Sequence, residues 1–112
     1  MELKDKPIRR LFWWLLAGTK GGPTRLLILM RLRDEPANAN QLANALKLNY
    51  KTVQHHLEIL LDNRLVERDD RRYDVRFRLA PIVTENMDVL ESIIDETLSK
   101  HAKATIAWGR SG

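Results

Sequence analysis

Residues 38–66, NANQLANALKLNYKTVQHHLEILLDNRLV, decide the fold. They read as two helices joined by a tight turn. The first turns Leu42, Ala43 and Leu46 inward. The second carries Val53, His56, Leu57 and Leu60 at i, i+3, i+4, i+7, the spacing of one buried face. Its opposite face shows Lys51, Gln54, His55 and Glu58, polar and rich in long hydrogen-bonding side chains. Asn38 with Gln41 three residues on makes a capping-box pattern, residues 47–49 form the turn, and Asn49 is an N-cap for a helix over 50–62. A polar helix presented by a compact helix-turn-helix suits the DNA major groove.

Toward the C-terminus, Asn63 and Arg64 close that helix and residues 65–68 read as a short strand. Residues 69–72 are a charged turn. Tyr73, Val75, Phe77 and Leu79 then alternate with Asp74, Arg76 and Arg78, the period of two of a half-buried strand. The two strands make a hairpin, the wing. Pro81 ends it, and Thr84 is placed to cap a long final helix to about residue 100 or beyond. Met87, Leu90, Ile94 and Leu98 recur there at heptad-like spacing, widened by Ile93. So wide a stripe on a terminal helix suits dimerisation. Residues 104–112 offer Ile106 and Trp108 without a pattern and are expected to be partly disordered.

Toward the N-terminus, Thr24 is placed to cap a core helix over 25–33, LIL-rich and ended by Asp34-Glu35-Pro36. The preceding residues 18–23, GTKGGP, lack the Gly-Lys-Ser/Thr ending of a phosphate loop and read as a connector. Residues 8–17 form a short helix whose LFWWLLA run is too apolar to bury wholly in one small domain. Leu11, Trp13 and Trp14, with Met87, Leu90, Ile94 and Leu98, are therefore the expected dimer interface. Residues 1–6 read as a loose polar arm.

The 112 residues suit one small core, and 44% hydrophobic with 30% charged residues is a soluble globular balance. Net charge is +4, unevenly spread: residues 1–33 carry +6, residues 80–112 carry −2. A basic front fits phosphates, although an ordinary solvated surface gives the same totals. No cysteine is present, which removes disulfides and thiolate chemistry and fits a reducing cytosol. The longest apolar run falls well short of the roughly 20 residues that span a bilayer. These features fit an intracellular chain without a membrane partner, and the DNA reading adds the expectation of a cytoplasmic protein associated with the nucleoid.

The order of elements, with Gln41-Leu42-Ala43, Leu46, Thr52-Val53, His56-Leu57, Leu60 and Leu65-Val66, resembles the ArsR-like winged-helix regulators over residues 20–80. PANANQLA at 36–43 with YKTVQHHL at 50–57 looks most like archaeal members. The resemblance implies a homodimeric transcription factor, commonly a repressor, acting on double-stranded DNA. Two departures matter. Lys47 occupies a turn position often held by glycine, and the thiolate metal-sensing motif is missing, so metal response is not carried over. The expected fold is mainly α with a small β-hairpin wing: a winged helix-turn-helix with additional N- and C-terminal helices. It divides as 1–19 (arm and apolar helix, for dimerisation or docking), 20–80 (winged helix-turn-helix DNA-binding domain) and 81–112 (dimerisation helix and tail).

Lys51, Gln54 and His55 are the candidates for base contacts, since Lys donates to guanine and Gln pairs with adenine N6 and N7. Tyr50, Thr52, His56, Lys20, Arg25, Arg71, Arg72 and Arg76 are candidates for the DNA backbone, with Arg78 beside them. His56 also shares the inner side with Val53, Leu57 and Leu60, which argues for a core-edge histidine. Residues 50–79 carry a net charge of only +1, so the wing is weakly basic. Metal chemistry is disfavoured: adjacent His55 and His56 point about 100° apart on a helix, and Asp88, Glu91, Asp95 and His101 read as a solvated acidic face. No nucleophile stands near a base at a recognisable spacing, so no enzyme is expected. No motif specifies a cofactor or a small-molecule or protein effector. The competing readings are a winged-helix protein-interaction module and a sequence-tolerant architectural DNA binder.

Overall fold

The computed structural model describes the backbone of residues 7–111 and the side chains of residues 7–99. The expectations for the arm 1–6 and for the side chains of His101, Ile106 and Trp108 fall outside these described residues. The elements run α1 (Pro7–Leu16), α2 (Gly22–Asp34), α3 (Ala39–Leu46), α4 (Tyr50–Asp62), β1 (Val66–Arg68), β2 (Phe77–Leu79), α5 (Pro81–Thr84) and α6 (Met87–Ser111).

Local chemistry sets these boundaries. The Asn38 side chain accepts from Gln41 N while Asn38 N donates to Gln41 Oε1, a complete capping box at the start of α3. Asn49 Oδ1 accepts from Lys51 N at 2.8 Å and starts α4. Both helices end through a left-handed residue, Lys47 (φ 56°) and Arg64 (φ 60°). The next amide turns back in each case, Leu48 N to Ala43 O and Leu65 N to Leu60 O, both 2.9 Å.

Four expectations are corrected. Thr24 does not cap α2, which begins two residues earlier behind a left-handed Gly21, with Pro in its first turn. Thr84 ends the single turn α5, its Oγ1 donating to Pro81 O, and α6 starts after Asn86. The tail does not fray at 104, because α6 continues to Ser111. The second wing strand is only Phe77–Leu79: Asp74 is left-handed (φ 54°), which breaks the alternation and leaves Tyr73 79% exposed.

β1 and β2 pair antiparallel in the register Val66↔Leu79, Glu67↔Arg78, Arg68↔Phe77. Ala37 bridges Phe77 through two backbone bonds of 3.1 and 2.8 Å, tying the entry to α3 onto the wing. One core runs through the molecule. α1 contributes Phe12, Leu15 and Leu16; α2 contributes Leu26, Ile28, Leu29 and Leu32. Leu42, Val53, Leu57, Leu60, Leu65 and Val66 continue it, and Val89, Leu90, Ile93 and Ile94 of α6 close it. Leu90 and Ile94 were expected at a dimer interface, yet they are spent inside the protomer. Ion pairs Arg9–Glu96 (2.7 Å) and Arg33–Glu91 (2.6 Å) fasten α1 and α2 to α6 at the surface.

Candidate nucleic-acid interface

α4 buries Val53, His56, Leu57 and Leu60 and leaves Lys51, Thr52, Gln54, His55 and Glu58 exposed. Tyr50, at the first position of the helix, is 43% exposed, and its hydroxyl accepts from Gln54 Nε2 at 3.1 Å. The amide thereby keeps its carbonyl and one N–H free, the pair that adenine N6 and N7 require. The outer face is therefore accessible and partly preset.

The wing lies beside this face. A cleft of about 410 Å³ separates them, lined by Tyr50, Gln54 and Glu58 from α4, Asn38 from the α3 cap, and Arg68 and Asp74 from the hairpin, among others. Asp74 is the knot of the wing. Its Oδ1 accepts from Asn38 Nδ2 at 2.5 Å, and its Oδ2 pairs with Arg76 at 3.2 Å and with Arg71 at 3.8 Å. The Asn38 hydrogen bond first, then Arg76, holds the Asp74 carboxyl below its ordinary range. Arg71 also meets Asp69 at 3.3 Å, and Arg78 meets Glu67 at 2.9 Å. Of the wing's tip arginines, Arg72 faces the Tyr73 ring, 5.9 Å from its centroid. Most of the basic charge expected at the backbone is thus shared with acids of the same hairpin.

Two expected backbone contacts lie elsewhere. Arg25 is not on the surface: it is 4% exposed, with Nε donating to Leu15 O (2.9 Å) and Nη2 to Thr19 Oγ1 (2.7 Å). His56 is 8% exposed, its Nδ1 3.2 Å from Arg25 Nη1. Neither side chain is presented to a phosphate. Burial lowers the pKa of both, and for His56 the nearby Arg25 and then His55 add to the effect. The burial of His56 agrees with its core-edge reading, whereas that of Arg25 is missed when it is weighed as a charge, although Arg25, Ile28, Leu29 and Leu32 carry the i, i+3, i+4, i+7 spacing of the buried stripe. Lys20 is exposed in the α1–α2 turn.

Trp13 and Trp14 remain 40% and 56% exposed on α1, and Leu98 54% on α6, whereas Leu11 and Met87 are half-buried. Trp13 packs against Gly18, where a Cβ would overlap the indole ring. Among the described residues no group of three His, Asp or Glu could hold a metal, and no helix is long and apolar enough to cross a membrane.

Residues 22–68 match the sequence profile of the family described as bacterial regulatory protein, arsR family. The match spans α2, α3, α4 and β1, the helix-turn-helix with the first strand of the wing. No curated protein sequence matches the chain. Among solved structures, the AntR antimony-specific transcriptional repressor is 23% identical, over 85% of this chain and 79% of its own, with a TM-score of 0.62. Lactococcus lactis ZitR in complex with DNA is 19% identical over 80% of this chain, TM-score 0.59. The chain spans less than two thirds of ZitR: 62% of the wild-type structure and 64% of the DNA complex. A MarR transcriptional regulator from Methanosarcina mazei Go1 is 18% identical over 93% of this chain and 92% of its own, TM-score 0.61. These likenesses establish a winged helix-turn-helix fold of the MarR and ArsR type. AntR's name invokes antimony; this chain has no cysteine with which to form a thiolate site.

Proposed function

We propose that this chain is a sequence-specific DNA-binding transcription regulator of the archaeal ArsR-like type. It acts in the cytoplasm on the nucleoid, as a homodimer and a repressor. α4 enters the major groove, where Lys51, Gln54 and His55 meet base edges. Tyr50, Thr52 and Lys20 face the flanking phosphates, and Arg71, Arg72 and Arg76 of the wing face the backbone or minor groove. The observation that carries this reading is the exposed polar face of α4, with Gln54 held by Tyr50, within a helix-turn-helix that matches a family of regulators. A dimer follows from the chemistry of recognition: one helix reads few base pairs, and two half-sites one turn apart give useful specificity. Repression needs nothing beyond occupancy of a promoter.

Selection from random duplex DNA at near-physiological salt tests the reading. A palindromic site is expected to enrich, and Gln54→Ala with His55→Ala to lose it. Binding without enrichment would replace this reading with the architectural one. Absence of binding would direct attention to protein partners.

A further inference from the structure

Beneath α4, on the side away from Gln54, a guanidinium sits without a carboxylate. Arg25 bonds a carbonyl (Leu15), a hydroxyl (Thr19) and the imidazole of His56, and no acid among the described residues pairs with it. Arginine has N–H donors only, so His56 Nδ1 must accept and its ring proton must lie on Nε2. Gly21 completes the enclosure. Its backbone is left-handed (φ 91°), and a Cβ there would stand 2.8 Å from His56 Cε1 and 3.1 Å from Arg25 Nη1. The recognition helix is thereby latched to the end of α1 and the α1–α2 turn through one neutral imidazole.

We propose that His56 is an acid-sensitive latch: protonation of its Nδ1 breaks the bond from Arg25 and displaces α4. The imidazolium N–H would face a guanidinium N–H in a nearly dry site, with repulsion strengthened by the low dielectric. Around it, α2 presents Arg25, the α1–α2 turn carries Lys20, and α4 itself brings His55, whose ring centre is 5.1 Å away. The remaining charges of α4 are Lys51, Glu58 and Asp62, none of them paired with His56. α3, ANQLANAL, has no titratable side chain. β1 carries Arg68 and Glu67, the latter paired with Arg78. None of the described groups supplies His56 with a carboxylate partner, so a charged His56 is relieved only by moving toward water. Because Val53, Leu57 and Leu60 share its face, the helix moves with it.

The consequence for DNA rests on the regulator reading above. Acid should loosen the recognition helix and weaken specific binding.

The test uses the full chain. Imidazole and α4 amide resonances are followed by NMR from pH 8 to 5, and affinity for a selected duplex is measured over the same range. The expected result is a His56 midpoint below the ordinary imidazole value, with amides of residues 53–60 shifting at that midpoint. Affinity should fall below it, by at most about tenfold per pH unit per protomer for one coupled proton. His56→Gln keeps an acceptor for Arg25 but cannot titrate, so the acid decline should vanish. Unmoved α4 amides through the His56 titration, or an acid decline that persists in His56→Gln, would overturn the latch. If no duplex bound at any pH, the regulator reading would fall, and the amide shifts of the unmodified chain would still decide the latch.

Discussion

Lys47 and Arg64 each hold a left-handed backbone that favours glycine, and each does so to end a helix of the helix-turn-helix pair. A side chain in that conformation costs about 1–2 kcal/mol, against which glycine's greater unfolded-state freedom sets about 0.5–1 kcal/mol. Lys47→Gly is therefore expected to raise stability by somewhat under about 1 kcal/mol, seen as a higher urea midpoint with an unchanged slope. A lowered midpoint would mean that the lysine side chain has a compensating contact. His56 gives the pH counterpart. Its pKa is lowered in the fold from 6.5, so the unfolded chain binds a proton that the folded one refuses. Stability should be level above pH 6.5 and decline as pH falls toward the folded value, and His56→Gln should flatten that slope in pH-dependent urea unfolding. Charged Arg25 was legible in the sequence as a residue but not as an environment. Spacing put it on the buried stripe, and only the approach of Leu15 O, Thr19 and His56 shows how a guanidinium is satisfied there.

Among the elements, α3 and α4 were legible because both period and caps signalled them: Asn38 with Gln41, and Asn49 with Lys51 N, lie where the sequence puts them, whereas Thr24 and Thr84 do not cap α2 and α6. The wing was legible as a hairpin but not in length, because alternation of apolar residues is blind to the left-handed turn at Asp74 that exposes Tyr73. The loop GTKGGP read as a connector, yet Gly18 seats Trp13 and Gly21 clears His56; such close approaches leave no period in a sequence. Asp74 also bears on function, since it neutralises Arg71 and Arg76 where they would meet phosphate. Asp74→Asn retains an acceptor for Asn38 while removing the charge. The variant should bind DNA more tightly and less selectively, with the slope of log affinity against log salt steeper by about one or two counterions. An unchanged slope would show that the wing arginines do not meet the backbone.

At the scale of the whole molecule, one core joins α1 and α6 to the helix-turn-helix, so the flanking helices are parts of the folding unit as well as its outer surface. The sequence overestimated what was left for a partner. Leu90 and Ile94 close the protomer's own core, and among the described residues the large apolar side chains that remain exposed on these two helices are Trp13, Trp14 and Leu98. Covering side chains of this size contributes about 1.5–3 kcal/mol each, enough for a few of them to govern association. Trp14 and Leu98 are more than half exposed, so replacing both with glutamate should leave the fold intact while placing charge on any contact they make. The expected outcome for Trp14→Glu with Leu98→Glu is an unchanged circular dichroism spectrum, a shift from dimer to monomer in sedimentation equilibrium, and retained weak affinity for a half-site with loss of tight binding to the palindrome. A doubly substituted chain that still sediments as a dimer would move the interface off these helices. The half-site spacing of the selected DNA would then have to be explained by a different surface of the same core.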